Sequence, residues 1–216
     1  MGRIRSAALA ASLLLAPNLA AATLLLSPGP VAAQGDSELD ALANACADTK
    51  ASPEASIEAC TKLIDSGRWQ RMDQAYAHRG AAYFLAKQDA KAMQDFDQWV
   101  RLTPDNARAY LNRGNLFFAV GRYEPAIKDF DKAITLEPNN GANWVARGRA
   151  NFKAGYTSTA MADATQALKL NPDDPVALAL RAACHVAQGD ESLGVADLQA
   201  AKKIDPDVGQ KVWGAY

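Results

Sequence analysis

A 34-residue repeat runs through most of this chain and limits what it can fold into. The stretch LNRGNLFFAVGRYEPAIKDF at 111–130 returns, loosely spelled, as AHRGAAYFLAKQDAKAMQDF at 77–96 and VARGRANFKAGYTSTAMADA at 145–164. A period of 20 to 50 residues is typical of arrays in which each repeat is one small supersecondary unit stacked on its neighbours. The sequence therefore predicts a repeat array.

Alignment on the recurring glycines gives four units, 73–106, 107–140, 141–174 and 175–208. In each unit a large residue precedes a small one by four positions, which places both on one face of a helix; these pairs are Tyr76 and Gly80, Tyr110 and Gly114, Trp144 and Gly148, Leu178 and Ala182. A second helix follows in each unit, with a small residue four positions before Phe96, Phe130, Ala164 and Leu198. Pro104, Pro138, Pro172 and Pro206 end these second helices.

This pattern resembles the tetratricopeptide repeat family over residues 73–208. The family's marker residues are matched most fully in the second unit, by Tyr110, Gly114, Phe117, Ala126, Phe130, Ala133 and Pro138. The resemblance implies an all-α fold, a right-handed superhelical solenoid of antiparallel helix pairs. Trp99 stands where the family has a small residue, so its ring must fit between repeats or tilt out of the stack, and we expect wider packing there. The fourth unit has lost Gly, Tyr and Phe at its marker positions, as a terminal unit often does.

Residues 1–33 have the composition of an export signal. Arg3 and Arg5 precede an uncharged, Ala- and Leu-rich run that ends in the small residues of 31–33, which predicts a bacterial signal peptide cleaved between Ala33 and Gln34. An uncleaved anchor is the alternative. Both interpretations place the rest of the chain outside the cytoplasm, most simply in a periplasm, with secretion or an outward-facing membrane anchor as variants and with no membrane insertion of the mature chain.

The charge of the mature chain argues against a nucleic-acid partner. The sequence holds 23 basic and 24 acidic residues, and loss of the two arginines leaves 21 basic side chains and a formal charge of −3. Proteins that bind nucleic acids neutralise phosphates with clustered Lys and Arg. The composition therefore gives no indication of a nucleic-acid partner.

Residues 34–72 form an atypical helical hairpin in this interpretation. Cys46 falls late in its first helix and Cys60 in its second, so antiparallel packing would bring them together. In an oxidising compartment we expect a Cys46–Cys60 disulfide, with two free buried thiols as the alternative.

A charged ladder has the same period as the repeat. The first helices carry Arg79, Arg113, Arg147 and Arg181, and the second helices carry Asp95, Asp129, Asp163 and Asp197. These charges could form a binding stripe. We expect instead that each Arg pairs with an Asp across neighbouring helices.

Chemistry-bearing residues are sparse. His78 and His185 lie in units three apart, and no Cys/His/Asp cluster has metal-ligand spacing. Cys184 adjoins His185, but neighbouring helix residues point about 100° apart. A buried small hydrophobe explains Cys184 best, with pairing between chains as a minor option; His185 is explained by packing. We expect no cofactor, no metal and no enzyme activity.

The resemblance implies a peptide-binding concave face lined by the first helices. The inward positions would include Phe84, Leu111, Asn115, Phe118, Val145, Arg149 and Phe152. The three phenylalanines form a stripe at the spacing of the repeat, which could be core but is not at the family's packing positions. Asn115 could hold a peptide backbone and Arg149 a carboxylate, although solvated polar side chains would look the same. One branch of the family clamps the carboxylate of chaperone tails, but Ala77, Ala81, Ala142 and Ala146 replace its clamp residues and only Asn112 matches.

Residues 209–216 form the end of the chain. Together with Val208, this C-terminal cap or tail could cover the end of the stack with Val212 and Trp213, or it could enter the groove of another copy. The sequence thus predicts a non-catalytic scaffold of the bacterial envelope that binds a protein or peptide in its groove. A self-assembling structural module is the alternative, and an enzyme using Cys184 or His185 is a remote one.

Overall fold

The computed structural model describes residues 30–213, without the side chains of 30–36, 210, 211 and 213. This part of the chain folds into eleven helices and contains no strand: α1 Pro30–Ala47, α2 Pro53–Asp65, α3 Met72–Leu85, α4 Asp89–Leu102, α5 Ala107–Ala119, α6 Tyr123–Leu136, α7 Gly141–Lys153, α8 Thr157–Leu170, α9 Pro175–Gln188, α10 Glu191–Ile204 and α11 Val208–Trp213. The predicted all-α class is confirmed. The signal assigned to 1–33 lies outside the described residues apart from its last four, which open α1.

Consecutive helices pack in pairs, and the pairs stack in chain order. α3 packs on α4, α5 on α6, α7 on α8 and α9 on α10, while each second helix also contacts the first helix of the next pair. A solenoid of helical hairpins results, with one hairpin for each repeat unit. Neighbouring first helices also touch directly, α5 with α7 and α7 with α9, so they line one continuous surface.

The small residue at the eighth position of a unit is required by close approach inside each hairpin. A Cβ on Gly114 would lie 2.6 Å from Cε1 of Phe130, and one on Gly80 would lie 2.8 Å from the same atom of Phe96. Both distances are far inside van der Waals contact. The aromatic ring on the second helix therefore lies directly over the backbone of the first.

Asx caps fix where the first helices begin. The side chains of Asn106, Asn140 and Asp174 accept hydrogen bonds from backbone N–H groups in the first turns of α5, α7 and α9. These N–H groups have no partner within the helix. The recurrence of Asn or Asp just before each of the last three units therefore has a backbone explanation rather than a catalytic one.

Trp99 lies inside the stack rather than tilting out of it. Its ring is buried with Ala92, Ala109 and Leu116, and its centroid is 6.3 Å from that of Phe96. The stack thus holds a large ring where the family has a small side chain.

The N-terminal hairpin carries a covalent crosslink. Cys46 on α1 and Cys60 on α2 form a disulfide with their Cα atoms 4.7 Å apart, within the range usual for such bonds. Leu39, Leu63 and Ala75 surround it in a small core. The crosslink therefore joins the first hairpin where it contacts α3.

Candidate functional site

The surface lined by the first helices forms a groove with three hollows. Each hollow takes its walls from neighbouring first helices; the first hollow also includes Phe96 of α4, and the third also involves α10 and α11. We call them the N-terminal, middle and C-terminal hollows. All seven residues expected to line the groove lie on α3, α5 or α7.

The N-terminal hollow has a volume of about 380 Å³ between α3 and α5. Ala81, Phe84 and Leu85 line one side, and Asn112 and Asn115 line the other. Leu85 is an exposed apolar side chain. Two amides that both donate and accept hydrogen bonds thus face an apolar wall, an arrangement suited to an extended or helical peptide.

The middle hollow lies between α5, α7 and the start of α9, with a volume of about 230 Å³. Leu111, Asn115, Val145 and Arg149 are among its lining residues. Asn115 therefore belongs to two adjacent hollows. Unlike Leu111, the side chains of Val145 and Arg149 are buried.

The three phenylalanines that share one position of the repeat do not have equal surroundings. Each is half-buried and packs against a different core cluster. Phe84 lines the N-terminal hollow and Phe152 the C-terminal one. The ring of Phe118 is covered on one face by the guanidinium of Arg149, 4.8 Å from its centroid.

The C-terminal helix α11 lies against this groove. The Nε–H of Arg149 donates a hydrogen bond of 2.7 Å to the backbone carbonyl of Val212. Val208 and Val212 are both 0 % exposed and join a core cluster with Val145 of α7 and Leu178 of α9. The expectation that these valines cover the end of the stack was incomplete, because α11 extends past α9 and reaches α7, the first helix of the preceding unit. Trp213 has no described side chain.

The C-terminal hollow lies beside α11 and is the most apolar of the three. It has a volume of about 470 Å³ and is lined by Phe152, Ala179, Ala182, Ala183, Val186, Ala187, Gly194, Val195, Leu198 and Gly209. Val186 is 55 % exposed and Val195 52 %. Val195 and Leu198 come from a second helix, so the family's inward positions could not predict them.

The arginine ladder holds the hairpins together. The guanidinium of each arginine binds one aspartate through two hydrogen bonds, Arg79 to Asp95, Arg113 to Asp129, Arg147 to Asp163 and Arg181 to Asp197. The predicted pairing is confirmed, so each of these arginines has a carboxylate partner within its own hairpin. Hydrogen bonding to Asp129 and attraction to the paired carboxylates raise the pKa of the Arg113 guanidinium above its usual value.

A second set of carboxylates was not predicted from the sequence. Arg113 also donates to Asp97, and Arg147 to Asp131, in each case across to the preceding hairpin. Asp97 and Asp131 are themselves one repeat period apart, which is the signal that could have revealed them. Arg113 and Arg147 thus link successive units as well as the two helices of their own unit.

Cys184, His78 and His185 are the groups that the sequence singled out as candidates for chemistry. Cys184 is fully buried, and burial, with a contribution from Asp163, raises the pKa of its thiol to about 11. Burial also lowers the pKa of His78, helped by the nearby Arg108. His185 Nδ1 lies 3.8 Å from a carboxylate oxygen of Asp190.

The described segment, 30–213, offers neither a metal site nor a membrane span. No group of three or more His, Cys, Asp or Glu side chains in it could hold a metal ion. None of its helices combines the length and the apolar composition that a membrane crossing requires.

Comparison with known proteins identifies the repeat. Residues 107–140 and residues 145–208 match models of the tetratricopeptide repeat. A comparison with functionally curated proteins gives no match.

Several solved structures share the fold. The MamA 41-end structure from Desulfovibrio magneticus superposes with a TM-score of 0.70 at 13% sequence identity, covering 79% of this chain and 96% of that one. Another MamA crystal structure gives a TM-score of 0.67 at 15% identity, covering 84% of this chain and 98% of that one. At such low identity these similarities establish the architecture only.

Proposed function

We propose that this chain, which contains tetratricopeptide repeats, is a non-catalytic scaffold that binds a protein segment in its concave groove outside the bacterial cytoplasm. The observation that carries the proposal is the row of three hollows along neighbouring first helices. Such repeats serve protein–protein interaction through surfaces of this kind.

The N-terminal hollow lies farthest along the stack from α11 and is the centre of the proposed recognition surface. Phe84 and Leu85 offer apolar area, and Asn112 and Asn115 offer donors and acceptors for a peptide backbone. In this proposal Leu111 and Phe118 extend the apolar wall toward the middle hollow. Val145 and Phe152 continue the apolar surface beyond it. Arg149 orients the bound segment only where α11 is displaced, because its Nε–H otherwise donates to the carbonyl of Val212.

Export is the second part of the proposal. The charge pattern and small residues of 1–33 support a signal, and a disulfide between Cys46 and Cys60 fits an oxidising compartment. We expect the mature protein from a periplasmic extract to begin at Gln34, which mass spectrometry of its N-terminal peptide would measure. A peptide beginning at residue 1 or 2 would contradict cleavage.

The function is tested by crosslinked capture from an extract of exported proteins. The chain as exported is compared with a double variant of the N-terminal hollow, Phe84→Ala with Asn115→Ala. The matched control is Val120→Ala with Asn139→Ala, which removes one apolar side chain and one amide at exposed positions that line none of the three hollows. We expect one partner to be captured by the wild type and the control and lost by the groove variant.

The capture experiment has a clear adverse outcome. If the groove variant still melts cooperatively and captures the same partner as the wild type, the groove is not the working surface. The convex face would then become the place to search.

Self-assembly is a second candidate, favoured by one observation. The chain's own α11 packs against the groove, so the C-terminus of another copy would carry the same contacts. Light scattering across a hundredfold range of concentration tests it. A constant monomer mass would end this candidate, whereas a rising mass that is lost on deletion of residues 208–216 would support it.

A further inference from the structure

The helix α11 has the properties of a bound ligand rather than of an independent element. It is six residues long, and an isolated helix of that length is not stable in water. It follows α10 after the short connection Asp205–Asp207. Contacts with the groove must therefore provide most of its stability.

Two side chains anchor α11. Val208 and Val212 are four positions apart, so they lie on one face of the helix one turn from each other. Both are fully buried, in a cluster that includes Val145, Leu178 and Ala179. The groove thus accepts two branched aliphatic side chains at the spacing of one helical turn.

Arg149 recognises the end of the helix. Val212 is in the last turn of α11. Carbonyl groups there accept no hydrogen bond within the helix, and the helix dipole is negative at that end. Its carbonyl accepts the hydrogen bond from Arg149 Nε, and this Arg is only 4 % exposed. The guanidinium is held in place from the other side by the ring of Phe118.

The position of α11 divides the groove. Val145 and Arg149 line the middle hollow on one side of it, while Phe152, Ala179 and Gly209 line the C-terminal hollow on the other. Because α11 contacts residues of both hollows, its removal would join them into one longer channel. The strongly exposed Val186 and Val195 would border that channel.

We propose that the groove binds a short helix carrying two branched aliphatic residues four positions apart, and that α11 is an intramolecular competitor for this ligand. The proposal rests on the groove-binding function proposed above and specifies the ligand class and the control of the part of the groove that α11 contacts, the middle and C-terminal hollows. A tethered competitor acts at a high effective concentration. The apparent affinity for a partner is therefore reduced by the fraction of chains whose groove is open.

The probe for this proposal is a fluorescein-labelled peptide with the sequence of residues 205–216, DPDVGQKVWGAY. Its binding is measured by anisotropy to the full chain, to the full-chain variant Val212→Asp, and to the control Val120→Asp at an exposed position. The carboxylate that Val212→Asp introduces is unfavourable in the apolar cluster, so α11 leaves the groove. We expect the variant to bind the probe about tenfold or more tightly than the wild type and the control do.

The specificity of binding is tested with a second peptide in which the residue corresponding to Val212 is aspartate. It should fail to displace the probe. Equal binding of the probe to wild type and Val212→Asp, or equal competition by the two peptides, would overturn the proposal. A wild-type dimer that Val212→Asp converts to a monomer would also overturn it, because a second copy would then be the occupant.

A measurement on the wild type covers the case in which Val212→Asp fails to fold. Hydrogen exchange of the chain's own 208–213 segment is followed with and without saturating unlabelled peptide. Displacement predicts faster exchange in that segment, and unchanged exchange at saturation contradicts the proposal. Val212→Asp could fail to tighten probe binding and the peptide fail to speed exchange of 208–213, while the groove variant Phe84→Ala with Asn115→Ala still loses partner capture. That result would leave the proposed function standing and reject only the role of α11 as a competitor.

Discussion

Asp163 holds Arg147 by two hydrogen bonds, of 2.6 Å to Nη2 and 3.1 Å to Nε, while its own side chain is only 2 % exposed. The same Arg147 donates a 2.6 Å hydrogen bond to Asp131, whose side chain is 51 % exposed. One guanidinium therefore has a buried partner within its hairpin and an exposed partner in the preceding one. This asymmetry separates the stabilising part of the ladder from the solvated part.

Removal of the buried partner should cost far more stability than removal of the exposed one. Asp163→Ala leaves Arg147 and Asn151 without their shared acceptor, so we expect a loss of about 3–5 kcal/mol in the free energy of unfolding. Asp131→Ala should cost about 0–1 kcal/mol, since exposed pairs contribute little. Urea unfolding measures both, and equal losses would contradict this division of the ladder.

Features set by short sequence spacings could be predicted from the sequence. Gly114 and Phe130 belong to a pattern that recurs in successive units, so their packing role follows from periodicity. The pairing of Arg113 with Asp129 follows in the same way. Each contact lies within one unit, where the helical hairpin fixes which residues meet.

The position of α11 could not be predicted in this way. It depends on a hydrogen bond between Arg149 and Val212, which are 63 positions apart, and on a segment with no counterpart in the repeat. Arg149 was expected to face solvent or a ligand, yet the chain's own terminus buries it. Nonperiodic contacts of this kind have no signal in a single sequence.

Gly114→Ala should destabilise the hairpin of α5 and α6 although Ala favours helices. The new Cβ would lie 2.6 Å from Cε1 of Phe130, and overpacking of this kind costs about 1–3 kcal/mol. The fourth unit combines Ala182 with Leu198 instead of glycine with phenylalanine. We therefore expect Phe130→Leu to relieve part of the cost, with a favourable coupling of about 0.5–3 kcal/mol in a double-mutant cycle. Strictly additive effects would show that the two side chains do not compete for space.

Lys87→Gly should stabilise the first repeat unit. Gly121, Gly155 and Gly189 occupy the turn between the two helices in the other units with φ of 76°, 88° and 91°, and Lys87 occupies it in the first with φ of 58°. The left-handed region costs a residue with a Cβ about 1–2 kcal/mol, partly offset by the entropy that glycine loses on folding. We expect a net gain of about 0.5–1 kcal/mol by thermal unfolding.

The matched control for Lys87→Gly is the reverse change in the next unit. A Cβ on Gly121 would meet no atom within 4 Å, so Gly121→Ala tests the backbone alone. It should destabilise by about 1 kcal/mol. A gain from Gly121→Ala would show that the left-handed turn is not what selects glycine there.

The three cysteines should differ sharply in reactivity toward a thiol reagent such as DTNB. Cys46 and Cys60 are joined, and Cys184 is fully buried with the pKa of its thiol raised to about 11. Only the thiolate attacks, and at pH 8 a group with this pKa is about 0.1% ionised. We expect no rapid reaction of the folded protein, one thiol per chain in guanidinium without reductant, and three after reduction.

The control for the thiol count is Cys184→Ala, which should give no free thiol before reduction. More than one free thiol in the unfolded, non-reduced protein would contradict the disulfide, whereas rapid reaction of the folded wild type would show that solvent reaches Cys184.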